Sequence, residues 1–362
     1  MKLSQVVRRA ISPDPDIAGV TADSRKVGKG FLFAALPGTK VDGAAFAAKA
    51  VEAGAAAVIA GGEIPGLAVP LIATPDPRRA YALAAASFWG GQPQTCVAVT
   101  GTNGKTSVAN FCRQIFAHAG RTSASMGTLG LTVTRPGGAS EQLTPAGLTT
   151  PDAADIAELL AKIAGSGVTH FAMEASSHGV DQRRLDGVKL TAAGFLNLTQ
   201  DHLDYHGSME AYRVAKLRLF ETLLPRGGTA VLNADSDADP AFAAAAVCAG
   251  QTVVSVGEAG QGIRLMERTP TPDGQRLKLD VHGLAVSLRL PLAGGFQASN
   301  ALVAAGLCMA AGLDVDEVVA GLEVVEGAAG RLQRIGAGPR GGEAYVDYAH
   351  TPDGLETVLA AL

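Results

Sequence analysis

The stretch that predicts the fold reads Val97-Ala-Val-Thr-Gly-Thr-Asn-Gly-Lys-Thr-Ser107. Thr95–Thr100 is short, apolar and β-branched, which predicts a buried strand, and Val108–Ala119 has the composition of a helix. A strand, a glycine-rich turn and a helix in this order form a phosphate site. The glycines let backbone N–H groups close on phosphate oxygens, and a helix N-terminus favours negative charge.

Two side chains of this loop have the chemistry that a bound nucleotide needs. Lys105 can pair with the β- and γ-phosphates, and the Thr106 hydroxyl can ligate Mg²⁺. The spacing Gly101-x-x-Gly104-Lys105-Thr106 is two residues tighter than the general phosphate-loop pattern. The alternative is a glycine-rich turn followed by a solvated lysine. The agreement of strand, turn, Lys-Thr pair and helix favours the phosphate loop.

Composition and charge exclude several classes of protein. The chain has 362 residues, of which 47% are hydrophobic and 18% charged, as in ordinary globular proteins of two or three domains. A net charge of −4 without a Lys/Arg run argues against a nucleic-acid-binding face. Met1–Ser12 lacks the apolar core of a signal peptide, and no run approaches the length of a membrane span. We therefore expect a cytoplasmic protein whose scattered cysteines are small core residues: Cys96, Cys112, Cys248 and Cys308.

Strands alternate with helices from Thr95 to about Gly327, which predicts a parallel sheet with helices on both faces. Within this region residues 250–293 read as β-rich, with a hairpin near residues 271–274. Residues 1–91 read as a smaller α/β unit that ends at a Gly-Gly-Gln-Pro break. The chain stops inside a helix predicted after Pro352, so a third domain is expected to be cut off. The prediction is an α/β protein with three domains: 1–91, 92–329 and the start of a third at 330–362.

Polar residues follow the predicted strands, and ligands bind at the carboxyl ends of strands in such sheets. Glu174 follows one strand, where a carboxylate beside a phosphate loop can hold Mg²⁺; capping or an ion pair is the alternative. Thr149 and Thr150 precede Pro151 and a helix, where ordinary capping explains them equally well. A strand predicted over Leu190–Leu198 runs into a loop that holds Asp201, His202, Asp204 and His206. A metal or charge-positioning role competes there with a plain hydrogen-bonded loop, and no further His/Cys set supports zinc.

Three other places have polar side chains with two possible roles. Ser24 lies in an Asp-Ser-Arg loop that can offer polar groups to a ligand or can simply be a capped turn. Gln182, Arg183 and Arg184 can bind an anionic substrate or be solvated. Lys216 falls on the inward stripe of a helix predicted over Ser208–Leu223, where a lysine is costly unless it is paired or modified. Snorkelling of the side chain to water is the usual explanation.

Four motifs together resemble the Mur ligases, which build the peptide stem of bacterial peptidoglycan, and the resemblance covers nearly the whole chain. The phosphate loop Thr100–Thr106 is similar to the loop of the wider superfamily that includes folylpolyglutamate ligases. The other three resemble the branch that adds the third residue of the stem. They are Glu174-Ala-Ser-Ser-His-Gly, Asn197-Leu-Thr-Gln-Asp-His-Leu-Asp-Tyr-His-Gly and Asp347-Tyr-Ala-His-Thr-Pro-Asp.

The resemblance implies roles for individual residues. It implies that the ATP phosphates meet the loop Gly101, Thr102, Asn103, Gly104, Lys105, Thr106 and Ser107, and that Asn300, Arg331 and Asp347 hold the rest of the nucleotide. It implies that Thr106 and Glu174 hold one Mg²⁺, that His202 helps to hold a second, and that Lys216 is a metal ligand as a carbamate formed with CO₂. The implied catalytic set is Lys105, Glu174, His202 and Lys216. It implies contacts from Ser24 to a UDP group and from Thr149, Thr150, Ser176, Gln182 and Arg184 to a muramoyl-dipeptide. Gln297 departs from the family pattern, which has asparagine there.

The implied activity is an ATP- and Mg²⁺-dependent ligase that joins an amino acid to UDP-N-acetylmuramoyl-L-Ala-D-Glu through an acyl phosphate. The incoming amino acid is expected to be meso-diaminopimelate, with L-lysine as the alternative. The implied architecture is a small UDP-binding α/β domain, a central phosphate-loop ATPase domain and the beginning of a Rossmann-like domain. We expect a monomer that binds neither nucleic acid nor membrane. The competing functions are another Mur or folylpolyglutamate-type ligase and a nucleotide-binding protein without turnover.

Overall fold

A computed structural model describes residues 1–38, 42–337 and 342–362, and it divides into two compact units. The first unit comprises residues 1–92, 151–166 and 182–188. The second comprises residues 93–150, 167–181 and 189–362.

Short strands and helices alternate along the described residues. The strands are β1 (Gly19–Thr21), β2 (Phe31–Ala35), β3 (Ala55–Ala60), β4 (Leu71–Ala73), β5 (Thr95–Thr100), β6 (Ser123–Gly127), β7 (Gly130–Thr134), β8 (Ser140–Gln142), β9 (His170–Glu174), β10 (Ala192–Phe195), β11 (Thr229–Asn233), β12 (Thr252–Gly257), β13 (Ile263–Thr271), β14 (Gly274–Val281), β15 (Leu284–Leu290), β16 (Gln333–Ala337) and β17 (Glu343–Val346). The helices are α1 (Leu3–Val7), α2 (Ala47–Glu52), α3 (Pro77–Trp89), α4 (Lys105–His118), α5 (Ala153–Gly165), α6 (Ser177–Asp181), α7 (Leu203–His206), α8 (Met209–Arg218), α9 (Asp239–Cys248), α10 (Gly295–Ala310), α11 (Val315–Leu322) and α12 (Pro352–Ala361). A π-helical segment, Leu219–Leu223, continues α8.

The first unit is a four-stranded parallel sheet in the order β1-β2-β3-β4, covered on both faces. Leu32 and Ile59 pack with Tyr81 of α3 and with residues of α1 and α5 on one face. Phe33 and Val58 pack with α2 on the other. Because both faces are buried, β2 and β3 read as continuous apolar runs, as expected of a parallel sheet.

The second unit contains an eleven-stranded sheet in the order β15-β14-β13-β12-β11-β10-β5-β9-β6-β7-β8. The strands from β13 to β6 are parallel, which confirms the α/β class, but β14, β15, β7 and β8 are antiparallel. The predicted parallel sheet is therefore confirmed from β13 to β6, whereas the antiparallel pairing of β6, β7 and β8 at the other edge was not predicted. The physical reason is connection length: two residues join β13 to β14 and β6 to β7, and so short a link can join only antiparallel neighbours.

Helices α4 and α10 pack on the centre of this sheet, with Phe111 and Val108 of α4 and Leu302 and Val303 of α10 in one buried cluster. Strand β5 lies inside the sheet, between β10 and β9, and the phosphate loop follows it directly. The predicted hairpin near residues 271–274 is also confirmed.

Three other sequence predictions need correction. Cys248 is exposed at the end of α9, whereas the other three cysteines are buried as expected. The strand predicted over Leu190–Leu198 is only β10, because the chain leaves the sheet after Phe195 to contact the phosphate loop. Helix α4 begins at Lys105 rather than Val108. Along the described chain, no helix is long and apolar enough to cross a membrane.

Residues 333–337 and 343–346 form an antiparallel pair, β16 and β17, followed by α12. The sequence predicted one strand here and placed the start of a third domain at residue 330. Residues 338–341 of that predicted domain lie outside the described residues. The division into three domains stays a prediction.

Candidate functional site

The loop between β5 and α4 is hydrogen-bonded to an asparagine from the segment that follows β10. Gly104 has φ +90°, a left-handed conformation that favours glycine, and it caps the start of α4. The backbone N–H groups of Thr102 and Asn103 both donate to Oδ1 of Asn197, at 3.0 and 2.9 Å. Asn197 follows β10, and the sequence analysis gave it no role although it opens one of the motifs. The strand-end rule could have found it.

Lys105 is turned toward its own loop. Its Nζ donates to the carbonyl oxygens of Gly101 and Thr102 at 2.8 and 2.7 Å. Burial lowers the pKa of Lys105, and the nearby carboxylates of Glu174 and Asp201 oppose that shift. The ammonium is therefore bound to the same loop to which the sequence assigns the phosphates.

Glu174 lies at the end of β9, next to the loop, as predicted. Its Oε1 accepts from the Thr106 hydroxyl at 3.0 Å and from the backbone N–H of Thr128 at 2.8 Å. Burial raises the pKa of Glu174, and the charge of Lys105 opposes this. A Cβ on Gly127 would lie 1.9 Å from the same Oε1, so only glycine admits the carboxylate here. Neither Gly127 nor Thr128 was predicted from the sequence; the end of β6 would have indicated Thr128, but a glycine has no polar side chain to notice.

Lys216 is buried, with 1% of its surface exposed, so the snorkelling explanation is wrong. Its Nζ donates to the carbonyl of Gly101 at 2.8 Å and lies 4.4 Å from the centre of the Tyr212 ring. The Tyr212 hydroxyl is in turn 3.2 Å from Oγ1 of Thr102. Burial, reinforced by the charge of Lys105, lowers the pKa of Lys216 well below its ordinary value. An amine with a lowered pKa is more often neutral, and the neutral form is the nucleophile that can add to CO₂.

His202 has φ +52°, and its Nε2 lies 3.4 Å from Oδ2 of Asp201. Both line a cavity of about 410 Å³ together with Gln200, Leu203 and Pro352. Burial lowers the pKa of His202, which favours the neutral imidazole that binds metals. In the part of the chain that the structure describes, no three His, Cys, Asp or Glu side chains are grouped as a metal site. Any metal here would need hydroxyl or modified ligands as well.

The three residues expected to bind the rest of the nucleotide differ in the contacts that they make. Nη2 of Arg331 lies 3.4 Å from the Thr106 hydroxyl, so the structure brings it to the loop. Asn300 is buried against Gly104, where a Cβ would lie 2.3 Å from its Oδ1, and its Nδ2 donates to Gln297. Asp347 instead accepts from the backbone N–H groups of Leu332 and Ala349, at 2.6 and 2.7 Å. In this structure its carboxylate holds a turn.

Three residues expected to contact the dipeptide lie together in the second unit. Thr150 Oγ1 donates to the backbone oxygen of Glu174 at 3.1 Å and accepts from the hydroxyl of Ser176 at 2.9 Å. The hydroxyl of Thr149 is 3.0 Å from that of Thr128. A continuous set of hydroxyl groups therefore runs from Glu174 along the ends of β6 and β9.

Ser24, Gln182 and Arg184 belong to the first unit. Ser24 begins a short 3₁₀ turn that Asp23 caps, and it lines a cavity of about 970 Å³ whose walls include Phe46, Tyr81 and Trp89. Nη2 of Arg184 donates to Oε1 of Gln182 at 2.7 Å, so these two predicted contacts act as a pair.

Comparison with known proteins agrees with this geometry. The sequence profile of the Mur ligase middle domain matches residues 99–308, and that of the Mur ligase family catalytic domain matches residues 16–89. A protein of Caulobacter vibrioides named UDP-N-acetylmuramoyl-L-alanyl-D-glutamate–2,6-diaminopimelate ligase is 69% identical over 362 residues, which is 100% of this chain and 74% of that protein. A protein of the same name from Mesorhizobium japonicum is 49% identical and is matched over 98% of this chain and 73% of its own length.

Solved structures give the same result. The structure of a ligase of the same name superimposes with a TM-score of 0.86 at 30% identity, covering 100% of this chain and 74% of the other. MurF from Acinetobacter baumannii superimposes with a TM-score of 0.67 at 23% identity, covering 99% of this chain and 76% of that chain, which shows a shared fold alone. With two matching profiles and a relative at 69% identity, the chain belongs to the Mur ligase family.

Proposed function

We propose that this chain catalyses the step for which its relatives are named, the ATP-dependent joining of 2,6-diaminopimelate to UDP-N-acetylmuramoyl-L-Ala-D-Glu. The observation that carries the proposal is the contact between the Thr106 hydroxyl and the Glu174 carboxylate beside a glycine-rich loop. This contact supplies oxygen ligands for a cation where a strand, a loop and a helix N-terminus favour phosphate. The names of the relatives supply the substrates.

ATP is the nucleotide that Mur ligases use, and we propose Mg²⁺ as its partner ion. We assign one Mg²⁺ to the hydroxyl of Thr106 and the carboxylate of Glu174, whose oxygens suit this hard cation. His202 would help to hold a second Mg²⁺, and a carbamate on Lys216 would supply a further oxygen ligand. The buried, weakly basic amine of Lys216 suits carbamate formation, since CO₂ would convert a costly buried cation into an anionic ligand. Bound Mg²⁺ would neutralise the charge of the phosphates during transfer.

The protein's own residues would mainly position the nucleotide and stabilise its charge. We assign the phosphates to the loop Gly101–Ser107, with Lys105 as the cation that meets the transferred group, and the rest of the nucleotide to Asn300, Arg331 and Asp347. For Asp347 the assignment requires a carboxylate that also keeps its two backbone bonds. Phosphoryl transfer needs fixed geometry and preorganised charge more than covalent help from the protein.

The reaction would proceed in two steps. The D-Glu side-chain carboxylate attacks the γ-phosphorus of ATP, which gives an acyl phosphate and releases ADP. The amine of the incoming amino acid then attacks the acyl carbon, loses a proton, and expels inorganic phosphate as the amide forms. The hydroxyls of Thr149, Thr150 and Ser176, which lie along one edge with Glu174, are proposed to orient the dipeptide for the first step.

We assign the UDP group to the cavity lined by Ser24, because aromatic walls suit a planar base. Gln182 and Arg184 would bind the anionic part of the dipeptide, since a guanidinium pairs well with carboxylates. The first unit would then be a UDP-binding domain and the second an ATP-binding domain, with residues 330–362 as the start of a third. We propose that the protein acts as a cytoplasmic monomer.

Calorimetric titration with UDP-N-acetylmuramoyl-L-Ala-D-Glu, with UDP-N-acetylmuramoyl-L-Ala as the control ligand, tests this proposal. Tight binding of the dipeptide form and much weaker binding of the monopeptide form are expected. Equal binding of the two ligands, or binding of neither, would contradict the proposed substrate.

A further inference from the structure

The turn that carries Gln182 and Arg184 lies on helix α3 of the same unit. A Cβ on Gly187 would lie 2.7 Å from the carbonyl oxygen of Ala82 and 2.8 Å from the Cβ of Ala86, so the backbone of the turn touches the helix. Leu185 is 1% exposed. The turn is therefore packed against α3 at its far end.

Two ion pairs connect the turn to the N-terminal end of α3 and its capping residue. Nε of Arg183 donates to Oδ2 of Asp76 at 3.1 Å. Nε of Arg79 lies 3.5 Å from Oδ2 of Asp186, a carboxylate whose side chain is only 1% exposed. Asp76 and Arg79 are three residues apart, as are Arg183 and Asp186, so the two ion pairs join the same two segments of the chain.

The two carboxylate oxygens of Asp76 accept hydrogen bonds from different partners. Oδ1 accepts from the backbone N–H of Arg79 and caps α3, while Oδ2 accepts from Arg183. Arg183 has φ +61°, which costs free energy for a residue with a side chain and persists only where contacts hold it. The ion pair with Asp76 is such a contact. It fixes the backbone immediately before Arg184.

We propose that Asp76 and Arg79 are positioning residues for Arg184. They hold the turn in the conformation that presents the Gln182–Arg184 pair to a carboxylate of the substrate. This inference rests on the proposed function, in which Arg184 binds the anionic part of the dipeptide. Neither residue needs to touch the ligand, because both act through the backbone on either side of Arg184.

The test uses Asp76→Ser, since serine keeps the helix cap but cannot form the ion pair with Arg183. Calorimetry is run with UDP-N-acetylmuramoyl-L-Ala-D-Glu and with UDP-N-acetylglucosamine, which has the nucleotide and sugar but no carboxylate. We expect about a tenfold loss of affinity for the first ligand, the size of one lost hydrogen bond to a charged group, and no change for the second. The melting temperature should stay close to that of the wild type.

Two further variants make the result specific. Asp314→Ser makes the same substitution at the cap of α11, where no such ion pair is formed, and it should leave both affinities unchanged. Arg183→Gln breaks the same pair from its other end, so the double variant with Asp76→Ser should bind no worse than either single variant. Additive losses would mean that Asp76 does not act through Arg183, and would overturn the inference.

The outcomes separate the inference from the proposed function. If the wild type binds neither ligand, the proposed function fails and the inference fails with it. If the wild type binds the dipeptide form and Asp76→Ser binds it equally well, only the inference fails. If Asp76→Ser lowers the affinity for both ligands alike and has a lower melting temperature, the role of Asp76 is only structural. The positioning role is then also overturned.

Discussion

The phosphate loop of the second unit and the cavity of the first unit are built in opposite ways. The loop is one continuous stretch, Val97–Ser107, between a central strand and the helix that covers it. The cavity is lined by residues from the segments 18–46, 81–89 and 152–158, which are far apart in the sequence. A site made by one strand–loop–helix unit can be identified from its spacing, whereas a site assembled from separate segments requires the fold.

Lys216→Ala should have the largest effect and should act on the second unit alone. Turnover is expected to fall by about 10²–10³ or more, since a buried group beside the loop is removed and the metal ligand it would form is lost. Added bicarbonate should not restore turnover, because alanine has no amine to modify. Phosphate release in the presence of all substrates is the measurement, with the exposed Lys278→Ala as control. Near-normal turnover by Lys216→Ala would disprove the carbamate.

Asn197→Ala tests whether the loop depends on a residue outside it. The backbone N–H of Asn103 loses its acceptor, and that of Thr102 keeps only the backbone carbonyl of residue 197, so the free energy of unfolding should fall by about 1–3 kcal/mol and nucleotide affinity by about tenfold. Asn197→Asp keeps the acceptor oxygens but adds a negative charge near bound phosphates. It should melt like the wild type and still bind ADP poorly. Normal ADP binding by both variants would show that the loop needs no such support.

Ser24→Ala should act only on the first unit, and more weakly. The chain has a single tryptophan, Trp89, and this residue lines the cavity, so its fluorescence reports on ligands bound there. UDP should change the emission of Trp89, and the alanine variant should need about fivefold more UDP for the same change, the loss of one neutral hydrogen bond. ADP affinity, measured by calorimetry, should be unaffected. A loss of ADP affinity instead would move Ser24 to the other site.

The smallest predicted effect is a pH dependence of the second unit. Burial lowers the pKa of His170, whose ring lies 4.8 Å from that of Phe116 on α4. At pH values below 6.5, the ordinary pKa of histidine, this imidazole then binds a proton more readily in the unfolded chain than in the folded chain. The free energy of unfolding therefore falls as the pH decreases. Between pH 7 and pH 5 the wild type should lose slightly more stability than His170→Gln, a difference that urea unfolding of both proteins measures. An equal loss in both would remove His170 as the cause.

Most of the residues proposed for the second unit's site could be named from the sequence, but few of the contacts that position them could. Lys105, Thr106 and Glu174 could be predicted because each follows a strand at a fixed distance and has obvious chemistry. Lys216 was recognised as anomalous from helical periodicity, but its contact with the carbonyl of Gly101 depends on how α8 packs. Gly127 supports the site through the absence of a side chain, which no polar pattern reveals.

The errors have physical causes of the same kind. The antiparallel edges of the large sheet follow from two-residue connections, a signal that was present but was read only for the hairpin near residue 273. Cys248 was placed in the core on composition, although it ends a helix whose outer face is exposed. The assignment of Asp347 to the nucleotide, by contrast, stays a prediction; in the structure its carboxylate accepts from the backbone N–H groups of Leu332 and Ala349.

The most direct test of the account is a phosphate-release assay with ATP, UDP-N-acetylmuramoyl-L-Ala-D-Glu and either meso-diaminopimelate or L-lysine, with mass spectrometry of the product. The account predicts that release requires all three substrates, that meso-diaminopimelate is preferred, and that the product mass increases by one diaminopimelyl residue. Phosphate release that does not depend on the UDP-linked dipeptide, or binding of all three substrates with no new amide, would contradict it.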